Sequence, residues 1–142
     1  MGNEVNIYVL AKPARWYRMD HWKRIINKTV IEVAPESIDW LENKIPINVL
    51  SYNDESLIPD SDILLATAWQ TADFANRFSS RKGSRFYFVQ HHESLWTRDK
   101  NKAQKTYDMP FKKLVISTWL KEVLQKKYHQ EAEVLITPVN DQ

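Results

Sequence analysis

Four polar residues, Gln90, His91, His92 and Glu93, follow directly after the apolar run 86–89 and are the side chains of this chain best suited to chemistry. A histidine titrates close to neutral pH and can donate a hydrogen bond or stabilise a developing charge. Adjacent residues of an extended chain point to opposite sides, so the two imidazoles can hardly reach one metal ion. The cluster therefore indicates a polar binding loop, with a structural turn that binds nothing as the alternative.

A second candidate pair follows the preceding predicted strand, over residues 63–68. Trp69 and Gln70 come at its carboxyl end, and ligands of open α/β sheets collect at the carboxyl ends of parallel strands. The spacing from Thr67 to Gln70 is also that of a helix capping box, in which Trp69 packs over the start of the helix. Ligand contact and capping are both open interpretations.

Ser117 and Thr118 end a later predicted strand, over residues 114–117, and begin a helix. Their hydroxyls are typical of an N-cap, which satisfies free amides at the start of a helix. The same amides could bind a phosphate or a carboxylate. A serine nucleophile is not supported, because no G-x-S-x-G sequence surrounds Ser117.

The triplet Asp60-Ser61-Asp62 has the D-x-D pattern that holds a divalent cation in some nucleotide-sugar transferases. It precedes the strand predicted over 63–68 and so lies at the amino end of the sheet, away from the edge where ligands bind. We interpret it as a solvated turn. No metal and no cofactor is expected.

Basic residues are frequent after the polar cluster. A solvated surface explains them, since Asp99 and Asp108 interrupt the run. The functional alternative is weak adhesion to an anionic membrane surface. The residues concerned are Arg98, Lys100, Lys102, Lys105, Lys112 and Lys113.

Strands and helices alternate along the chain. Short apolar runs predict strands, and apolar residues spaced three and four apart predict helices. This order is typical of an α/β, Rossmann-like architecture with a parallel sheet and helices on both faces. The predicted strands are 5–10, 47–50, 63–68, 85–89, 114–117 and 132–136; the predicted helices are 14–28, 35–43, 68–78, an exposed 100–107 and 118–128.

Composition narrows the class of protein. With 142 residues and 43% hydrophobic content, the chain is long enough for one domain with a core. A net charge of +2 does not suggest a nucleic-acid-binding protein. Cysteines are absent, and no apolar stretch approaches the roughly 20 residues of a membrane span, so a soluble, cytoplasmic protein is expected.

Five segments together resemble the amino-terminal domain of retaining glycosyltransferases of the two-Rossmann-domain (GT-B) architecture. They are DILLATAWQTA at 62–72, RFYFVQHHES at 85–94, the Tyr107–Pro110 step, KLVISTWLKEVLQKKY at 113–128 and VLITPVND at 134–141. The likeness is to glycosyltransferase family 4 members that build bacterial cell-wall polysaccharides, including rhamnosyltransferases. The matching positions are Asp62, Ala66, Thr67, Trp69, Thr71, Ala72, Tyr87, Phe88, Val89, Gln90, Glu93, Ser117, Trp119, Leu120, Asn140 and Asp141.

The resemblance implies that this chain contributes the acceptor side of a site between two domains. In the family, a second domain holds the nucleotide-sugar donor through an E-x7-E signature, which this sequence lacks. The glycine-rich first βα unit is also missing, and residues 1–3 are expected to lie outside the fold. We therefore expect part of an amino-terminal domain, inactive by itself, which self-associates where its sheet is uncovered. Its partners would be a glycan acceptor and, through the other domain, a nucleotide-sugar donor, at the inner face of the membrane.

The resemblance also implies roles for single residues. A histidine at this strand end lies near the reacting sugar in the family, and His92 or His91 could match it. Gln90, Glu93 and the residues after the two neighbouring strands would contact the substrate. The alternative is a non-catalytic Rossmann-like module that binds a ligand or a partner.

Overall fold

The residues of interest are positioned by a parallel sheet. Its strands lie side by side in the order in which they occur along the chain. The computed structural model describes residues 4–10, 47–50 and 55–136. The chain divides into two compact units, Met1–Leu57 and Ile58–Gln142.

The first unit contains a parallel pair of strands. Strand β1 (Ile7–Leu10) pairs with β2 (Ile47–Leu50), with Ile7 opposite Ile47 and Leu10 opposite Leu50. The side-chain amide of Asn48 also donates to the carbonyl of Ile7, at 3.3 Å. The two strands predicted in this part of the chain are confirmed, β1 in a shorter form. The helices predicted over 14–28 and 35–43 lie outside the described residues.

The second unit is a four-stranded parallel sheet in the order β3-β4-β5-β6. This arrangement confirms the predicted α/β, Rossmann-like fold. Its elements are β3 (Ile63–Ala66), α1 (Trp69–Ala75), β4 (Ser84–Val89), α2 (Lys100–Tyr107), β5 (Lys112–Val115), α3 (Thr118–Tyr128) and β6 (Ala132–Val134), with 3₁₀ turns at Ser80–Lys82 and Glu93–Leu95.

The sequence predicts helices on both faces of the sheet; the three helices that the structure describes in this unit, α1, α2 and α3, lie on one face. Each joins one strand to the next in a single direction, and right-handed crossovers place such helices on one side. Burial along β4 agrees, because Tyr87 and Val89 are fully buried while Phe86 and Phe88 are partly exposed. The rings of Tyr107 in α2 and Tyr128 in α3 are 4.7 Å apart. The core of the unit therefore lies between this face of the sheet and the helices.

Gly83 sets the start of β4. Its φ of +102° is disfavoured for other residues, and a Cβ atom there would lie 2.7 Å from the backbone of Asp62 and Ile63. The amide of the next residue, Ser84, donates to the carbonyl of Asp62 at 2.8 Å. This close approach places β4 in register with β3.

The Asp60-Ser61-Asp62 triplet lies at the amino end of β3, as its position before that strand predicts. Asp60 lies 3.0 Å from the ammonium group of the buried Lys82, and Ser61 donates to the carbonyl of Lys82 at 2.7 Å. The same ammonium group donates to the carbonyl of Ile58 at 2.6 Å. Through these bonds to Lys82, the triplet stabilises the turn before β4.

Helix α1 begins next to Ala68, where the sequence predicts its start, but its capping residues differ from the prediction. The N-cap is Ala68, and the hydroxyl of Thr71 accepts from the amides of Ala68 at 3.0 Å and Thr67 at 3.2 Å. The predicted capping box between Thr67 and Gln70 is wrong, because the N-cap is Ala68 and the side chain that bonds its amide is that of Thr71. The helix also ends at Ala75, before the predicted Phe78.

Two further elements differ from the sequence interpretation. Strand β5 starts two residues earlier, because Lys113 is buried with its ammonium group donating to Met109 and Gln130, at 2.9 and 2.8 Å. Helix α2 is not exposed all round, since Ala103 and Tyr107 are fully buried. Both the start of β5 and the burial of α2 were predicted wrongly because these segments are rich in lysine, which is usually exposed.

Candidate functional site

The residues that follow β3 and β4 meet at one edge of the sheet. Ala66 in β3 is in register with Tyr87 in β4, so the two strands end close together at their carboxyl ends. The segment after β3 supplies the first residues of α1, and the segment after β4 supplies residues 90–97. Parallel strand pairing thus brings two of the three predicted groups together.

An open cleft of about 310 Å³ lies at this edge. Trp96 is 81% exposed, and Trp69 is half-buried. Two indole rings, an amide, an imidazole and a hydroxyl suit a ligand with both apolar faces and polar edges. The cleft is lined by Ala68, Trp69, Gln70, His91, Glu93, Trp96 and Thr97.

The two adjacent histidines face different surroundings. His91 is exposed and lines the cleft, whereas His92 is only 6% exposed and does not line it. The chain bends at His91, and the ring of His92 lies against Tyr107 and Tyr128. Of the two positions that the sequence left open, the structure places His91 on the cleft.

Glu93 is a buried carboxylate that joins three elements. Its Oε2 atom accepts hydrogen bonds from the amide of Trp69 at 2.7 Å and from the hydroxyl of Tyr87 at 2.6 Å. Its own amide donates to the hydroxyl of Tyr107 at 3.1 Å. The carboxylate therefore ties the start of α1 to β4, and its backbone is held by the end of α2.

Burial changes the titration of this group and its neighbours. It raises the pKa of Glu93, while the hydrogen bonds from Tyr87 and Trp69 act in the opposite direction. Burial also raises the pKa of Tyr87, reinforced by its bond to Glu93, and raises the pKa of Tyr107. Both phenols therefore stay protonated and available as hydrogen-bond partners.

His92 belongs to a second buried set of hydrogen bonds. Its Nε2 atom lies 2.8 Å from the hydroxyl of Tyr128 and 3.0 Å from that of Ser94. Burial lowers the pKa of His92, and the nearby charge of Lys127 acts in the same direction. A serine beside a neutral imidazole can be a nucleophile. Ser94 is only 3% exposed, so its hydroxyl holds the turn and does not meet a substrate.

The other predicted site residues do not line the cleft. Gln90 is exposed at the end of β4. Ser117 is the N-cap of α3, where its hydroxyl accepts from the amide of Leu120 at 3.3 Å, and Thr118 is the first residue of that helix. The structure thus brings together Trp69, Gln70, His91 and Glu93, and it leaves Gln90, His92, Ser117 and Thr118 outside.

Several residues of the site were missed by the sequence interpretation. Trp96 and Thr97 line the cleft because the turn at Glu93–Leu95 folds the chain back towards α1. Tyr107 was missed because its helix was predicted to be exposed. Ala103 and Tyr107, four residues apart, lie on the same buried side of that helix. In the part of the chain that the structure describes, no group of three or more histidine or acidic side chains is arranged to hold a metal ion.

Comparisons of the chain with family models, with curated proteins and with solved structures found no match. Within residues 4–10, 47–50 and 55–136, no helix combines the length and the apolar character needed to cross a membrane.

Proposed function

We propose that this chain is part of the acceptor-side domain of a retaining glycosyltransferase, which moves a sugar from a nucleotide-sugar donor to a glycan. The observation that carries the proposal is the cleft at the carboxyl ends of β3 and β4, whose lining includes Trp69, His91 and Trp96. The resemblance of five ordered sequence segments to such domains supports it. We place the protein in the cytoplasm, at the inner face of the membrane.

The chemistry of the lining favours a glycan over a nucleotide. Indole rings pack against the apolar face of a sugar, while Gln70 and Thr97 can bond to its hydroxyls. The residues that line the cleft include no lysine or arginine, the side chains that commonly bind a diphosphate. Donor binding would therefore belong to a second domain, and this chain alone would not transfer a sugar.

His91 is the residue that we assign to the reacting centre. Retaining transfer requires stabilisation of a departing diphosphate and of a developing positive charge on the sugar. An imidazole that faces the cleft can supply a hydrogen bond at that point, whereas His92 is sealed below it. His92 and Glu93 would act as positioning residues, because they hold the turn that carries His91.

Saturation-transfer NMR with the 142-residue chain tests the proposal. Oligosaccharides of neutral sugars are expected to bind, and the His91→Asn and Trp69→Ala variants are expected to weaken that binding at least tenfold. His129→Asn is the matched control, because His129 is exposed and its φ of 54° is one that asparagine tolerates. The absence of any glycan binding would refute an acceptor site, and turnover of a nucleotide sugar by the chain alone would refute the division between two domains.

A non-catalytic binding module is the second candidate. It is favoured by the burial of His92, Glu93 and Ser94, the groups after β4 that could otherwise do chemistry. In that case the glycan would bind with the same dependence on Trp69, but no donor domain would cooperate with it. A neighbouring coding sequence with an E-x7-E signature would favour the transferase, and its absence would favour the module.

A further inference from the structure

The two carboxylate oxygens of Glu93 have different surroundings. The Oε2 atom accepts from the amide of Trp69 at 2.7 Å and from the hydroxyl of Tyr87 at 2.6 Å. Within residues 4–10, 47–50 and 55–136, no donor is bonded to the Oε1 atom, and this oxygen is not sealed from solvent. Glu93 is also one of the residues that line the cleft. The oxygen left for a ligand is therefore Oε1.

The charge of this carboxylate has no basic partner in the described part of the chain. Glu93 is only 4% exposed, and the ion pairs that lysine and arginine form there involve other acids. His91 attracts the carboxylate electrostatically, but its ring forms neither a hydrogen bond nor an ion pair with it among the described contacts. A buried carboxylate without a cation is costly, and a bound positive group would offset that cost.

Two indole rings line the same cleft, and the backbone of each tryptophan is bonded to Glu93. The amide of Trp69 donates to the carboxylate, and the amide of Trp96 donates to the carbonyl at 3.1 Å. The face of an indole attracts a cation that lies within about 6 Å of the ring centre. The described residues that line the cleft include no lysine or arginine to compete for these groups. The carboxylate and the indoles thus favour the same kind of ligand group.

We propose that Glu93, Trp69 and Trp96 form a subsite for a positively charged ammonium group of the ligand. The ammonium would donate to Oε1 of Glu93 and lie against the indole faces. A neutral hydroxyl could donate to the same oxygen, but it would leave the carboxylate without a counter-charge and gain nothing from the ring faces. Since the ligand proposed above is a glycan, the ammonium would be the free amine of an amino sugar. That identification rests on the proposed function, whereas the subsite itself does not.

The two oxygens allow the charge of Glu93 to be tested apart from its structural bonds. A glutamine side chain keeps one oxygen to accept from the amide of Trp69 and the hydroxyl of Tyr87. Its amide nitrogen, a donor, then takes the place of Oε1. Glu93→Gln therefore removes the negative charge while it retains the bonds that hold α1 and β4.

NMR titration at pH 7 with three β-1,4-linked trisaccharides tests the amino-sugar preference. The trisaccharides of glucose, N-acetylglucosamine and glucosamine differ only in the group at C2, which is a hydroxyl, an acetamide or an amine. The glucosamine trisaccharide is expected to bind about tenfold more tightly than the other two. Equal affinities for the three would overturn the ammonium subsite and leave the glycan site intact.

Three variants assign the preference to its residues. Glu93→Gln and Trp96→Leu should each reduce the preference for the amine to below about threefold. Trp119→Leu is the matched control, because Trp119 is 56% exposed and does not line the cleft, and it should retain the full preference. Thermal unfolding checks that each variant is folded, and Trp96→Leu, at a position that is 81% exposed, decides if Glu93→Gln is not. A preference that survives in the folded variants would refute the subsite.

Cyclohexylamine and cyclohexanol separate the subsite from the sugar. The amine is protonated at pH 7 and has almost the shape of the alcohol, so it should bind about tenfold more tightly and compete with the glucosamine trisaccharide. If cyclohexylamine is preferred while no trisaccharide binds, the subsite stands and the glycan proposal fails. If neither amine is preferred over its neutral counterpart, the subsite is refuted.

Discussion

The two sides of the loop at residues 90–97 differ sharply in their surroundings. On the open side, His91 and Trp96 face the cleft and solvent. On the sealed side, His92, Glu93 and Ser94 are each less than a tenth exposed and hydrogen-bonded to tyrosines or to the backbone, and of these only Glu93 also reaches the lining of the cleft. In this loop, the two groups with shifted pKa values, His92 and Glu93, are ones that build the site. His91 lies on the other side and is free to meet a ligand.

This difference limits what a perturbed pKa can indicate. Groups with shifted pKa values often mark functional sites, but networks that only support a structure shift them as well. Glu93 and His92 belong to the supporting kind by geometry, because Oε2 of Glu93 and Nε2 of His92 already bond to partners within the fold. Three substitutions test this division between the two sides of the loop.

The largest effect is expected for Glu93→Ala. The change leaves the amide of Trp69 and the hydroxyl of Tyr87 buried without their shared acceptor, so the free energy of unfolding should fall by about 3 kcal/mol. Urea unfolding followed by circular dichroism measures it. Glu131→Ala, at an exposed position, is the control and should change stability by less than about 0.5 kcal/mol. Equal stabilities would place Glu93 with the open side of the loop.

A smaller, pH-dependent loss is expected for His92→Asn. The shorter side chain cannot reach Tyr128 and Ser94, so the free energy of unfolding at neutral pH should fall by about 1 to 2 kcal/mol. Because the pKa of His92 in the folded protein is held below 6.5, its contribution to stability is full above pH 6.5 and is lost as the pH falls below that value.

The two buried groups have opposite pH dependences. The pKa of Glu93 is raised above 4.5, so the part of its contribution that depends on titration is full below pH 4.5 and is lost as the pH rises through its folded value, while its hydrogen bonds to Trp69 and Tyr87 remain. The His92→Asn variant lacks the imidazole but retains Glu93. Its deficit relative to the unaltered chain should therefore shrink between neutral pH and about pH 5. Unfolding curves at several pH values measure this, and a deficit that grows on acidification would contradict a buried, neutral His92.

The smallest effect on stability is expected for His91→Asn. His91 is exposed, so the change should alter the free energy of unfolding by less than about 0.5 kcal/mol while it weakens glycan binding. The same substitution at the neighbouring residue, His92→Asn, is therefore the comparison for His91→Asn. If His91→Asn destabilised the chain as much as His92→Asn, the two sides of the loop would not be separate.

Much of the architecture could be predicted because its signals are local. Apolar runs such as 63–66 and 86–89 are read from a few neighbouring residues, and the order of strands and helices then implies parallel pairing. The edge where the cleft lies follows from the same order. Helix α2 and the start of β5 were harder, since Lys105 and Lys113 give a charged sequence to elements with a buried side.

The inner arrangement of the site was beyond the sequence. His92 faces inward because Tyr128, 36 residues away, offers a hydroxyl at 2.8 Å. Glu93 is buried because Tyr87 and the start of α1 both meet its carboxylate. Partners at such distances along the chain are set by packing, and no spacing rule names them. The sequence therefore located the polar cluster but could not say which of its members face a ligand.

The bond from the amide of Trp69 to Glu93 links a helix to a loop that lies 24 residues further along the chain. Helix α1 has only seven residues, too few to persist by itself, and its first amide is satisfied only when that loop is closed. We therefore expect opening of the loop and fraying of the start of the helix to be coupled in local unfolding. A ligand bound to His91 and Trp96 would restrain this opening. Amide hydrogen exchange would then slow in helix α1, including residues that the ligand does not contact.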